Sequence, residues 1–262
     1  MRFFLAGLLL LPLIAGDAIT TTQSEKALKK AEDWYWRRAE GSSPHKASPE
    51  PINNAIKFGR QALQTPSTEA QAAVILLKSY HYKAKYVPMA EDEKQELLKK
   101  GRDFGKKMTE RYPDNEAIKF WYMGNLGSYG QTLGVVSAAR QGIGNKIKAI
   151  CEELMQTAPE YDEGGPYRVL GVLHFKLPNI PLVISWPDDG VGLDYLEKAA
   201  DIAPENPANL YYYARLLYEE GYYDKAKEVM KGVTQREPRN KHLLEERTTL
   251  KKARQHYEKW TN

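Results

Sequence analysis

The residues that most often carry out chemistry are few in this sequence and lie far apart along it. No H-E-x-x-H pair or other metal-binding spacing occurs among the five histidines, which are His45, His81, His174, His242 and His256. The single cysteine, Cys151, excludes an internal disulfide, and it falls where the core of a helix is expected, so a buried, inert thiol is predicted. No G-x-S-x-G nucleophile elbow is present. The sequence therefore predicts a protein that is not an enzyme, with no catalytic residue, no metal ligand and no cofactor.

One short stretch, Gly142-Ile143-Gly144, has the look of a phosphate-binding loop. Such loops follow a strand and carry a third glycine, whereas this stretch follows a helix-like segment and lacks the third glycine. We therefore assign no nucleotide site to it.

The elements that would position a functional residue are clearest between Pro207 and Pro238. This stretch fits a helix-turn-helix pattern of apolar and small residues at fixed spacing: Leu210, Tyr213, Ala214 and Leu217 on a first helix, and Ala226, Met230 and Pro238 on or after a second. Gly221 falls at the turn between them. The stretch resembles the tetratricopeptide (TPR) repeat, and one such hairpin needs neighbours because it cannot bury its apolar face alone.

Further hairpins are predicted upstream, because prolines recur where second helices would end: Pro66, Pro113, Pro159 and Pro204. The first helices of these units are expected at residues 25–40, 69–86, 116–139 and 166–176. The units are longer than the repeat, so they contain either long inter-helix loops or extended first helices, and only the insertion Leu177–Pro187 is plainly a loop. The sequence thus predicts an all-α, irregular TPR-like helix-hairpin solenoid of about eleven helices.

The last segment, residues 240–260, is expected to be a C-terminal capping helix. Its apolar residues form a narrow seam on an otherwise charged helix, as a cap over the final hydrophobic face requires. A docking seam for a partner is the alternative, since Trp260 lies so close to the chain end and the segment is rich in bases.

The N-terminus is typical of a secretory signal. Arg2 precedes an apolar run from Phe3 to Ile14, and small residues follow at Gly16 and Ala18. We expect residues 1–18 to be removed, residues 19–24 to be a short linker, and residues 25–262 to form a single domain. The run is too short to span a bilayer, so a periplasmic or secreted protein without a membrane span is predicted, with an uncleaved anchor as the alternative.

Composition and charge limit the classes of partner that this protein can be expected to bind. With 42% hydrophobic and 27% charged residues among 262, the chain is typical of a globular protein. Its 38 bases and 34 acids give a net charge of +4, which is too small to indicate nucleic-acid binding without a clustered basic face.

A stretch without charge, residues 120–139, contains glycines at spacings of three and four: Gly124, Gly127, Gly130 and Gly134. Glycine destabilises a helix unless something compensates. Two interpretations stay open, namely close packing against another helix, or the lining of a cleft.

The stretch from Pro159 to Pro178 extends the repeat pattern, with Pro166 suited to a first helical turn and Leu170-Gly171 to a close helix approach. Together with the signal and the expanded repeats, residues 100–240 resemble the exported TPR proteins that accompany tripartite ATP-independent periplasmic (TRAP) transporters. That resemblance implies an irregular TPR bundle with an apolar cleft, which pairs with a periplasmic solute-binding protein.

A binding groove can be counted from the repeat, because certain first-helix positions of TPR solenoids face inward. These positions are Trp121, Asn125, Ser128, Tyr129, Arg168, Phe175, Tyr211, Arg215, Tyr218 and Glu219. Tyrosine and arginine are enriched at interface hot spots, although several of these aromatics could instead pack between repeats.

The expected function is that of an exported adaptor that binds another protein through this groove, such as a transporter's solute-binding component. The alternative is a carrier of a small apolar ligand in a cleft lined by residues 120–139. The sequence leaves the identity of the partner and any homo-oligomer open.

Overall fold

The computed structural model of the chain describes residues 13–178, 180 and 184–262, and these are all-α. The helices are α1 Leu13–Trp36, α2 Pro49–Ala62, α3 Pro66–Tyr86, α4 Glu91–Arg111, α5 Glu116–Leu133, α6 Val135–Arg140, α7 Ile143–Thr157, α8 Tyr161–Lys176, α9 Asp189–Ile202, α10 Pro207–Glu219, α11 Tyr223–Thr234 and α12 Leu243–Thr261. A 3₁₀ turn, Asn240–His242, precedes α12. Within this part of the chain there are two isolated bridges and no β-strand. The predicted fold class is confirmed, with twelve described α-helices where about eleven were expected.

The helices form two layers. The inner layer is continuous, because α1 packs on α3, α3 on α5, α5 on α8, α8 on α10, and α10 on α12. The second helices α2, α4, α7, α9 and α11 lie outside, and each packs against its own first helix and against the first helix of the next unit. This is the arrangement of a helix-hairpin solenoid, in which each hairpin buries its apolar face against its neighbours.

The hairpin α10–α11 follows the repeat pattern closely. Ala214 and Ala226 are fully buried where the two helices cross. Gly221 has a φ of +86°, which a glycine adopts at little cost, and the neighbouring Tyr222 N–H donates to the Leu217 carbonyl at 2.9 Å to close the end of α10. Asn206 caps the start of α10 by accepting from the backbone N–H of Ala208 at 2.9 Å.

The upstream units are longer than the repeat for both of the reasons that the sequence left open, namely long inter-helix loops and extended helices. The first unit has a long loop, residues 37–48, while the second has two helices of 21 residues each, α3 and α4. In the fourth unit, residues 179 and 181–183 of the expected Leu177–Pro187 loop lie outside the described part, and the rest of the loop is not helical. There Ile180 and Ile184 exchange backbone hydrogen bonds of 2.7 and 2.8 Å.

The third unit differs from expectation, because the single first helix predicted over residues 116–139 is broken. Helix α5 ends at Leu133 and the short α6 begins at Val135. Between them Gly134 has a φ of +77°, which does not continue a right-handed helix. The prediction of one helix was therefore wrong at this glycine.

At the N-terminus, residues 1–12 of the expected signal lie outside the described residues. Helix α1 runs without interruption from Leu13 through residues 19–24 to Trp36. Among the described helices, none combines the length and the apolar character that crossing a membrane requires.

The two ends of the solenoid meet. Arg38, just after α1, donates from Nε and Nη2 to one carboxylate oxygen of Glu245 at 3.0 and 2.8 Å, although the two residues are 207 positions apart. Next to this pair, Leu244 is fully buried in an apolar cluster with residues from the first two units: Ala47, Ile52, Ala55, Tyr82, Tyr86 and Val87. We call these contacts the closure. Helix α12 thus covers α11, through Leu250 and Ala253, and also ties the last unit to the first.

Candidate functional site

The inner helices present a continuous surface of polar and aromatic side chains, which we call the inner face. It comprises Tyr35, Lys78, His81, Lys85, Trp121, Arg168, Lys176, Tyr212, Arg215 and Lys252. These side chains lie beside one another across successive inner helices. Lys78 of α3, for example, lies between two rings, with its Nζ 5.8 Å from the ring centre of Tyr35 and 5.5 Å from that of Trp121.

The part of the inner face that α3 and α5 form is built around Trp121 of α5. Its indole N–H donates to the hydroxyl of Tyr161 at 3.0 Å, and the ring of His81 meets it edge-on at 5.8 Å. His81 Nδ1 is 3.2 Å from the Ser128 hydroxyl. Burial, with a smaller contribution from the charge of Lys85, lowers the pKa of His81 to about 3. His81 is therefore neutral at ordinary pH and adds no charge to this surface.

Arg168 of α8 is held rigidly by its neighbours. Its guanidinium donates to the Asp162 carboxylate at 2.6 Å and to the side-chain oxygen of Asn209 at 2.8 Å. Asp162 and Glu163 have left-handed φ values of 51° and 60°, an unfavourable conformation for residues other than glycine. Arg239 offsets part of that cost, because it donates two hydrogen bonds to the Glu163 carboxylate at 3.0 and 2.8 Å. This corner is thus fixed by charge pairs from α8 and the segment before α12.

A second part of the inner face is cationic. It is formed by side chains of α8 and α10 and by Lys85 at the end of α3. Lys176 Nζ lies 5.4 Å from the ring centre of Tyr212, the Arg215 guanidinium 4.9 Å from that of Phe175, and Lys85 Nζ 5.3 Å from that of Tyr86. Contacts of this kind orient a cation over an aromatic face.

Lys85 and Lys176 are exposed residues, and each ammonium group also has an aromatic ring close to it. Burial, and after it the positive charge of Lys252, lowers the pKa of Lys85. Burial, then the charges of Arg215 and Lys252, lowers the pKa of Lys176. The charge of Lys252 on α12 therefore acts on both lysines, and the charge of Arg215 on α10 acts on Lys176.

The ten groove residues counted from the repeat fall into different environments. Asn125, Tyr129 and Tyr211 are buried, Glu219 is exposed, and the remaining six are half-buried: Trp121, Ser128, Arg168, Phe175, Arg215 and Tyr218. Among the half-buried ones, Trp121, Arg168 and Arg215 belong to the inner face, while Ser128 contacts His81 and Phe175 contacts Arg215 at its edge. Their role in binding stays a prediction.

The buried members serve the contacts between helices. Asn125 donates from its amide to the backbone carbonyls of Leu77 and Trp121, at 2.9 and 2.8 Å. Tyr211 lies against α12, with its ring centre 5.6 Å from that of His256. Tyr218 stacks on Trp260 of the same helix, with ring centres 4.1 Å apart. Helix α12 therefore partly covers positions of the last unit that would face the groove in an open solenoid.

Sequence reasoning selected Arg168 and Arg215 but missed the lysines of the inner face. Lys78, His81 and Lys85 recur at spacings of three and four, which places them on one side of α3. That pattern was available in the sequence. Tyr212 adjoins the counted position Tyr211, and Lys252 could not be found by counting, because the capping helix has no repeat register of its own.

The glycines of α5 are also distributed between environments. A Cβ atom on Gly127 would lie 3.3 Å from Ile147 of α7, and one on Gly130 would lie 3.1 Å from Ile143. Gly124 faces His81 at an ordinary 3.7 Å, and Gly134 has open space around it. Close approach to α7 therefore accounts for Gly127 and Gly130, while a cleft beside α5 stays a prediction.

Comparison with known families agrees with the repeat in the C-terminal part of the chain. The model of the tetratricopeptide repeat matches residues 192–244. That segment begins in α9, contains the whole α10–α11 hairpin and ends at the start of α12. Among curated proteins, none is found that matches this chain.

Proposed function

We propose that this protein is a non-catalytic scaffold that binds another protein on its inner face. The observation that carries the proposal is the inner face itself: the inner helices of a solenoid with a TPR repeat present cations and aromatic rings side by side. TPR repeats generally mediate protein–protein interaction. Arginine and aromatic side chains are also the residues that most often dominate the binding energy of interfaces.

The expected partner binds as an extended segment or a loop. The closure joins the two ends of the solenoid, so the inner face is a curved surface of fixed size and not an open platform. Extended or helical peptide segments are recurring forms in which one protein is recognised by another.

Photo-crosslinking tests this proposal. Benzoylphenylalanine in place of Tyr212, on the inner face, is expected to crosslink to a partner protein of defined mass in the cells that make this protein. The same replacement at Tyr222, which is 56% exposed on the α10–α11 turn, is the matched control and should give no such product. Equal products at both positions, or a product only at Tyr222, would contradict binding at the inner face.

Export is part of the same proposal, and it rests on the signal-like residues 1–18. N-terminal sequencing of the mature protein is expected to begin near Ile19, and an intact Met1 on exported protein would contradict it.

In the exported setting, a transporter's solute-binding protein is the partner that we propose to test first, because residues 100–240 resemble the TPR proteins of TRAP systems. The second candidate function is that of a carrier of a small apolar ligand beside α5. It is supported by Gly124, which is half-buried beside His81 and is not required by close helix packing.

A further inference from the structure

All four lysines of the inner face lack an acidic partner in the described part of the chain, and one of them, Lys78, lies between the rings of Tyr35 and Trp121. The other three, Lys85, Lys176 and Lys252, which we call the inner lysines, form no ion pair with any carboxylate in the described part of the chain. Most charged side chains that are brought together in a folded protein are paired, because uncompensated like charges destabilise the folded state. All three inner lysines are exposed, so their ammonium groups are solvated in the free protein and are available to an acidic ligand.

Three carboxylates that interact with charged residues of the inner face are already engaged. Asp162 is bound to Arg168 at 2.6 Å, and Glu245 is bound to Arg38 at 2.8 Å. Glu219 lies 3.9 Å from Arg215 on the same helix. These three carboxylates compensate the arginines, so the net charge that remains on this part of the inner face comes from the lysines.

The inner lysines come from three different helices, α3, α8 and α12, and the closure holds α12 against the first units. Their mutual position is therefore set by the tertiary fold and not by the sequence of one helix. Rings lie beneath two of them, Tyr86 beneath Lys85 and Tyr212 beneath Lys176, and Phe175 lies beneath the neighbouring Arg215. Of these rings, Tyr212 and Phe175 are half-buried and lie between positive groups of the surface, whereas Tyr86 is buried.

An acidic polypeptide segment fits that arrangement. Its carboxylates can accept charge-assisted hydrogen bonds from the ammonium groups, while the side chains between them lie on the rings. A nucleic acid fits less well, because it carries a phosphate at every nucleotide, whereas a polypeptide can place uncharged residues opposite Asp162, Glu219 and Glu245. The net charge of the whole chain, +4, is also small for that purpose.

We propose that the inner lysines form the binding site for an acidic segment of the partner protein, whose aspartate and glutamate carboxylates neutralise Lys85, Lys176 and Lys252. This inference rests on the proposed function and adds to it the chemistry of the partner.

Fluorescence anisotropy with labelled poly-L-glutamate tests the site directly. The unmodified protein is expected to bind this probe at low salt and to release it as salt is added. The double variant Lys85→Ala/Lys252→Ala should bind at least about tenfold more weakly, as expected for the loss of two charge-assisted hydrogen bonds.

The matched control is Lys83→Ala/Lys251→Ala, which removes the same charge from the same two helices. Lys83 points away from the inner face, where it donates to the Asn53 side chain at 2.7 Å, and Lys251 lines an outer cleft between α12 and the loop at Pro44. This variant should bind poly-L-glutamate as the unmodified protein does. Equal losses in the two double variants, or no binding by the unmodified protein, would overturn the proposal.

Two further arms separate the sources of negative charge. Tighter binding of an oligothymidine than of poly-L-glutamate would overturn the acidic-segment assignment in favour of a nucleic acid, and competition by inorganic phosphate at equal charge concentration would overturn it in favour of a small anion. Crosslinks at position 212 that poly-L-glutamate does not reduce would leave the scaffold function standing and refute the acidic site. Poly-L-glutamate binding at the inner lysines without any crosslinked partner would refute the scaffold function instead.

Discussion

Replacing Arg38 with methionine is expected to lower the free energy of unfolding by about 3 kcal/mol, because one member of a largely buried ion pair is removed. Arg38 is only 4% exposed, and both of its hydrogen bonds to Glu245 reach the same carboxylate oxygen. The other oxygen of Glu245 is buried without a hydrogen-bond partner in the structure. Without Arg38, a partly buried carboxylate would remain uncompensated beside the apolar contacts of Leu244. Urea-induced unfolding measures the change.

Arg37→Met is the matched control, since it removes the same charge one residue away. Arg37 lies 3.8 Å from both Asp33 and Glu40 in ion pairs that are open to solvent, so a change below about 1 kcal/mol is expected. Adding Glu245→Gln to the Arg38→Met variant should restore part of the lost stability, because it removes the stranded charge. If Arg37→Met and Arg38→Met had equal effects, the closure would contribute nothing to stability.

Replacing Gly127 with leucine is expected to destabilise the protein by about 1 to 3 kcal/mol, because the larger side chain overpacks the contact between α5 and α7. The first added atom alone would lie 3.3 Å from Ile147, before the rest of the side chain is placed. Thermal and urea unfolding measure the effect.

Gly124→Ala is the control on the same helix. Its added atom would meet His81 at 3.7 Å, an ordinary contact, and alanine is the better helix former by about 0.5 to 1 kcal/mol, so stability should hold or rise. A Gly127→Leu variant with unchanged stability would mean that space exists beside α5, and it would favour the apolar-ligand carrier over close packing.

The hairpins could be predicted from the sequence because each one is encoded locally. Prolines such as Pro113 and Pro159 follow the second helices α4 and α7, and Ala214 with Ala226 marks a helix crossing. Those signals depend only on backbone sterics and on residue size, which are visible within one repeat.

The closure could not be predicted in the same way. A repeat pattern describes how a unit meets its neighbours, whereas Arg38 and Glu245 are in different terminal units. In the sequence, nothing distinguishes the buried Arg38 from the half-buried Arg37 beside it. The groove count also assumed an open end, and it therefore selected Tyr211 and Tyr218, against which α12 packs. The break at Gly134 was hidden for a different reason, since a run of glycines suits packing, turns and clefts equally.

The closure also changes how this solenoid would come apart. Repeat proteins usually fray from their free ends, because a terminal unit has one neighbour where an internal unit has two. Here the first and last units protect each other, so opening either one exposes Leu244 and separates Arg38 from Glu245 at the same time. Amide hydrogen exchange in α2 and α12 should then slow together toward the rate of global unfolding, and the chain should behave as one cooperative unit instead of a stack that peels from its ends.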